Sequence, residues 1–211
     1  MKEILAAIWR QNFAGAGCSR ESLETELKGC VTGEFTSALA KLEDEGLIVS
    51  EGRSISLSEA GRKMIRVVVC GGVFDILHPG HAFILGEAKS MGDVLVAIVA
   101  RDSTVEKRKR IPIVPEDQRV EMVGQLKPVD AAVLGYEGDP LKIIEEIGPD
   151  VIALGPDQHH NVEQMRSSLG ERGLNVEVRR ISEFKACELN STRSILERII
   201  ERNYPNPQGE I

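Results

Sequence analysis

The chain has 211 residues, a mass of 23.1 kDa and a formal net charge of −7. That length allows one large domain or two small ones, and the acidity works against general adhesion to nucleic acid or to an anionic membrane, because like charges repel at long range. With 42% apolar and 28% charged residues the composition is that of a globular protein, and no apolar run approaches the ~18 residues of a membrane span.

The first segment, MKEILAAIWRQN, carries Glu3 and Arg10 around a short apolar stretch. It reads as an amphipathic helix with Ile4, Leu5, Ile8 and Trp9 on one face, not as a signal peptide. Ser19 is placed to cap a second helix bearing Leu23 and Leu27, and Thr32 a third bearing Phe35, Leu39 and Leu42, which Gly46 then stops. LIVSEGRSISLSEAG follows as two short alternating stretches around Glu51-Gly52, a hairpin. Three helices and a hairpin over residues 1–64 predict a small winged helix-turn-helix domain, and ALAKLEDEGLIVSEGRSISLSEAGRKM resembles such modules. Between Met1 and Ala60, six basic residues face ten acidic ones, leaving −4. The third helix offers Lys41 beside Glu43, Asp44 and Glu45, so DNA binding is the weaker expectation and a packing or dimerisation role the stronger. A homodimer is a further expectation.

From Ile65 the pattern alternates between strand and helix. IRVVVC, DVLVAIVA, AAVLGY, VIALG and NVEVRRI are apolar runs of strand length. Between them lie HAFILGEAKSMG, PEDQRVEMVGQL, DPLKIIEEIG and NVEQMRSSLGERG, and STRSILERII closes as a helix. Near-continuous apolar strands belong to a buried parallel sheet, and the alternation predicts an α/β fold, a Rossmann-like doubly wound sheet over 65–204, with a tail at 205–211. Cys18, Cys30, Cys70 and Cys187 form no C-x-x-C pair, which argues against a zinc knuckle or a disulfide scaffold and for reduced thiols in a cytoplasmic protein. Deleting residues 1–64 is expected to leave a foldable α/β domain.

The four histidines fall into two pairs, His78/His81 and His159/His160. The first strand runs into CGGVFDILHPGH. Gly71 and Gly72 allow close backbone approach to a ligand, and His78-Pro79-Gly80-His81 sets two imidazoles three residues apart at a helix N-terminus. That pairing suits hydrogen bonding to phosphate. Neither the G-x-G-x-x-G nor the G-x-x-x-x-G-K-[ST] fingerprint is present.

These residues, GVFDILHPGH, resemble the signature of the HxGH nucleotidyltransferases in the cytidylyltransferase-like group, and the similarity extends from Ile65 to Arg202. VARDSTVEKRKRIPIVPEDQRVEMVGQLKPVDAAVLG and GPDQ at 155–158 resemble the archaeal FAD synthase branch. NSTRSI resembles the family's I-S-T-T-x-I element, with Asn190 in place of the usual isoleucine, and Val73 stands where the family often has threonine. The resemblance implies a sheet order of 3-2-1-4-5 and transfer of AMP from ATP to FMN with release of pyrophosphate. CTP:glycerol-3-phosphate cytidylyl transfer and a flavin- or nucleotide-responsive transcription regulator are the alternatives.

It further implies that His78 and His81 are catalytic and hold the α and β phosphates. Val73, Phe74, Pro79 and Gly80 would line the nucleotide, Asp157 would approach ribose or base, and Ser191 and Thr192 would take the β and γ phosphates. Lys107, Lys109 and Arg119 are expected near the phosphates or the acceptor. Mg²⁺, or another divalent cation, is expected to accompany ATP, with no separate carboxylate cage for it. In the implied sheet order His159 and His160 border the same crevice as the first pair, or are plain loop residues. Within the run Lys107–Arg110 the choice is between a phosphate contact and a solvated turn. Phe83, Tyr136 and Phe184 are aromatic candidates for stacking on an acceptor ring. Cys187, just before the Ser-Thr element, is read as a small hydrophobe.

Overall fold

In the computed structural model, which describes residues 1–27, 35–107, 111–156, 161–183 and 185–203, the chain opens with α1 (Lys2–Phe13), α2 (Arg20–Glu26) and α3 (Phe35–Asp44). Ser19 caps α2 as expected. Its hydroxyl accepts from the Ser22 amide while the Ser22 hydroxyl accepts from the Ser19 amide, a reciprocal capping box. Thr32 lies outside the described residues. Gly46, at φ +67°, ends α3 in the left-handed conformation that glycine adopts without strain. The hairpin is antiparallel, β1 (Ile48–Glu51) against β2 (Ser54–Leu57), with Ile48 opposite Leu57.

A short helix, α4 (Glu59–Lys63), follows the hairpin. Periodicity could not separate it, because five residues are too few to show a face. Ser58 caps it by accepting from the Gly61 amide at 3.0 Å. Gly61 is there for space: a Cβ at this position would sit 1.9 Å from the Leu47 carbonyl oxygen.

The second part is a five-stranded sheet built from β3 (Val67–Gly72), β4 (Val94–Val99), β5 (Ala131–Leu134), β6 (Val151–Leu154) and β7 (Glu177–Arg180). The order is β5-β4-β3-β6-β7 and every pairing is parallel. Counted from β3, this is the 3-2-1-4-5 order implied by the resemblance. The crossovers are α5 (Pro79–Ser90), α6 (Asp102–Glu106), α7 (Glu116–Gly124), α8 (Lys142–Ile147) and α9 (Val162–Glu171), with α10 (Thr192–Asn203) last. Like α4, α6 was too short for sequence periodicity to reveal.

Alternate strand residues point to opposite faces, and two buried clusters result. Val68, Cys70, Leu95 and Ala97 pack with Leu85, Ala88 and Val123 of α5 and α7. Val67, Val69, Val96, Ile152 and Leu154 belong to the cluster that holds Ile143, Ile144, Ile147 and Leu169 of α8 and α9. That second cluster continues without a break into Ile4, Leu5, Ile8, Leu23 and Leu42 of the N-terminal helices. Charged contacts reinforce the junction. Arg10 reaches Asp130 at 3.2 Å, and Arg62 reaches Asp150 at 3.0 Å and the Gly148 carbonyl at 2.7 Å. Among the described residues, no helix is long and apolar enough to cross a membrane.

Candidate nucleotide site at the carboxyl ends of the strands

The first and fourth strands of the sheet, β3 and β6, are neighbours from which the chain departs in opposite directions. A crevice opens at such a switch point beyond the carboxyl ends. β3 delivers Gly71 and Gly72 to its rim, and the next turn holds Phe74 at φ +52°, a left-handed conformation that costs a bulky residue energy. The Phe74 ring folds back over Gly72, where an added Cβ would lie 2.7 Å from the ring. Glycine at 72 is what lets that ring in.

His78 is the N-cap residue of α5, and Pro79 opens the helix, the position where a missing amide is harmless. One helical turn then brings His81 back beside His78. Their rings stack at 3.8 Å between centroids, 22° apart in plane, and the Phe74 ring meets His81 edge-on at 5.3 Å. The three rings form one packed group, so the imidazoles are held at the helix N-terminus, where the backbone dipole favours an anion.

Gly80 shows what faces this group. A Cβ there would come within 2.9 Å of the Asn190 carbonyl oxygen and 3.0 Å of His78 Nδ1. The HPGH turn therefore lies against the backbone just ahead of α10, although 110 positions separate the two in sequence. Ser191 caps α10, its hydroxyl accepting from the Ser194 amide at 3.1 Å, and Thr192 is the first helical residue. Two helix N-termini and the histidine pair thus converge.

Asp75 and Arg119 lie beneath. Asp75 is 5% exposed, and its Oδ1 accepts from the Ile113 and Val114 amides, both at 2.9 Å. The Arg119 side chain is fully buried. It donates to the carbonyls of Val114 at 2.9 Å, Ala100 at 2.8 Å and Val73, and to Asp102 at 2.6 Å. Asp102 and Glu116 accept from each other's backbone amides at 3.2 and 2.7 Å, joining α6 to α7, and Arg101 pairs with Glu116 at 2.8 Å. Arg119, expected near the phosphates or the acceptor, thus places four of its five N–H groups on protein oxygens and holds the Val73 loop in place. Sequence reasoning missed Asp75, Arg101, Asp102 and Glu116 in these roles. The available signal was charge lying next to apolar strand ends.

Lys107 is exposed at the end of α6. Lys109, Asp157, His159, His160 and Phe184 lie outside the described residues. Phe83 is half-buried on α5. Tyr136 is less open than a stacking platform should be. Its ring carries Lys142 Nζ at 4.4 Å, and its hydroxyl donates to Glu146 at 2.8 Å, which raises the phenol pKa. Cys187 is half-buried with a free thiol. Among the described residues, no three His, Cys, Asp or Glu side chains gather to hold a metal ion.

Two stacked imidazoles at a helix N-terminus, beside a glycine-rich strand end of a parallel sheet, form an arrangement able to bind phosphate, as a nucleotidyltransferase requires. The family described as cytidylyltransferase-like matches residues 69–198, and the chain belongs to it. Among curated relatives, the FAD synthase of Methanothermobacter thermautotrophicus is 51% identical over 138 residues, covering 64% of this chain and 91% of its own. That of Halomicrobium mukohataei is 56% identical over 138 residues, covering 64% of this chain and 96% of its own. Of solved structures, a lipopolysaccharide core biosynthesis protein from Thermoplasma volcanium is similar at 44% identity and a TM-score of 0.56, covering 57% of this chain and 99% of that one.

Proposed function

We infer that the chain is an FAD synthase, an FMN adenylyltransferase. The observation that carries this reading is identity of 51–56% to FAD synthases over 89–96% of their length. A phosphate oxygen of FMN attacks the α-phosphorus of ATP in line. The new P–O bond joins the two nucleotides, the bond from the α-phosphorus to the bridging oxygen breaks, and pyrophosphate leaves with that oxygen. No covalent enzyme intermediate is needed, so the protein contributes positioning and charge stabilisation.

In this scheme His78 and His81 donate to the α and β phosphates as charge builds on them. The backbone at Val73 and Phe74, with Pro79 and Gly80, lines the nucleotide. Ser191 and Thr192 at the start of α10 receive the β and γ phosphates, and Asp157 approaches ribose or base. Lys107 and Lys109 are assigned to the acceptor phosphate, and Arg119 to holding the Val73 loop. A divalent cation such as Mg²⁺ would enter with the ATP substrate and supply charge neutralisation for its phosphates.

Residues 1–64 are assigned as a winged helix-turn-helix that serves as a packing module. Two of its few cations, Lys2 and Arg10, are paired with Asp93 and Asp130 of the sheet domain, which supports packing over DNA contact. A cytoplasmic setting fits cysteines that form no disulfide among the described residues.

The test is a substrate panel: ATP and CTP, each with Mg²⁺, against FMN and glycerol 3-phosphate. FAD formation from ATP and FMN is expected. Turnover of CTP with glycerol 3-phosphate and none with FMN would replace this reading with the cytidylyl one. Gel shifts at stated salt, with and without FMN, test the regulator reading, and no retained DNA is expected.

A further inference from the structure

Ile111 and Ile113 are 73% and 52% exposed, while Pro112 between them is buried. The backbone bends at Ile113 and Val114, and the two exposed isoleucines flank the buried proline as an apolar face of this turn. It is not a loose one. The Ile113 and Val114 amides are tied to Asp75, and the Val114 carbonyl is tied to Arg119, which also holds the Val73 carbonyl. Asp75 stands three residues before His78 in the same loop, so the face is clamped to the rim of the histidine site. Among the described residues, the other large exposed apolar side chains (Met1, Val49, Met64, Met122, Ile199 and Ile200) lie elsewhere in the chain.

A pair of branched aliphatic side chains left in water gives the fold none of the stabilisation that burial would, and two buried polar residues are spent on fixing where it sits. The substrate chemistry supplies a reason. The acceptor brings a phosphate that must reach the histidines and a flat apolar ring system that must lie elsewhere. Lys107 precedes the face and suits the phosphate, whereas Ile111 and Ile113 suit the ring.

We propose that Ile111 and Ile113 form the apolar platform on which the acceptor's ring system lies, and so determine acceptor specificity. This rests on the FAD synthase reading. The experiment compares the wild type with Ile111→Ser/Ile113→Ser and Ile111→Val/Ile113→Val double variants. Both positions are on the surface, so folding is expected to be unaffected, and circular dichroism checks it. The serine variant should raise KM for FMN about tenfold or more, and the valine variant by less than about threefold. Affinity for a non-hydrolysable ATP analogue with Mg²⁺, measured by calorimetry, should stay within twofold in both. An unchanged KM for FMN in the serine variant overturns the platform and leaves the FAD synthase reading intact. A smaller sedimenting species with unchanged KM also overturns it, and assigns the face to contact with a second copy. Wild-type protein that makes no FAD overturns both.

Discussion

His78 and His81 meet face to face at 3.8 Å with the Phe74 ring against one edge. Packing of this kind fixes two imidazoles more firmly than hydrogen bonds from a loop would, because three rings must move together. Removal of one transition-state donor typically costs two to three orders of magnitude in rate. His78→Ala and His81→Ala are each expected to lower kcat by about 10²–10³, read by pyrophosphate release at saturating ATP and FMN. A near-wild-type rate in either variant would end the assignment. At the other end of the molecule Cys18 is 2% exposed, and burial, helped by nearby Glu26, pushes its thiol up to about 11. The native protein should therefore leave this thiol unmodified by a disulfide reagent at pH 8, and denaturant should release it. The fold favours the protonated thiol, so its contribution to stability is full below pH 9 and falls as pH rises toward 11. Urea midpoints that rise across that window in the wild type relative to Cys18→Ala would contradict the direction.

Among the secondary elements, α6 and α7 carry the larger lesson. They are joined by the Asp102–Glu116 exchange and fastened to the Val73 loop through Arg119. VARD and PEDQR are thus two halves of one partly buried polar joint centred on the buried Arg119. Arg119→Lys keeps the charge, but one ammonium cannot serve three carbonyls and a carboxylate in different directions. The expected cost is about 3 kcal/mol of stability, from buried acceptors left without donors, measured by urea unfolding, together with weaker ATP binding as the Val73 loop is released. Retained stability with only weakened binding would return Arg119 to the direct phosphate contact that its motif suggested. Such a joint is hard to read in one sequence, because an arginine that will be buried looks the same as one that will meet a ligand. The HPGH turn was legible for the opposite reason: cap, proline, glycine and both imidazoles are within four consecutive residues.

Across the whole molecule, the N-terminal helices and the sheet share one buried cluster, from Ile4 and Leu23 through Val67 to Leu169. Arg10 bridges Glu26 of α2 and Asp130 of the sheet domain, and Asp130 in turn accepts from the Leu95 amide at 2.7 Å. Relatives matched over 91–96% of their length are covered by 64% of this chain, so the α/β part is the length of a free-standing enzyme. Deleting residues 1–64 should accordingly leave the α/β fold while uncovering part of that cluster. A lower Tm and greater aggregation than the full chain are expected, with FAD formation retained. Equal Tm values would mean that the shared core contributes nothing.

The amino-acid sequence by itself determined what depends on near neighbours: apolar runs that become parallel strands, the Ser19 cap, the Gly46 stop and the histidine pair at the head of α5. Capping, turn chemistry and hydrophobic period act over a few residues, and each signal is complete within its own segment. The tertiary structure alone decided which distant segments meet. It set Gly80 against Asn190, turned Arg119 inward to Val73, left Ile111 and Ile113 facing water, and ran one core through both parts of the chain. Burial and partner choice depend on chains separated by tens of residues, and the same side chain has a different role according to what closes over it.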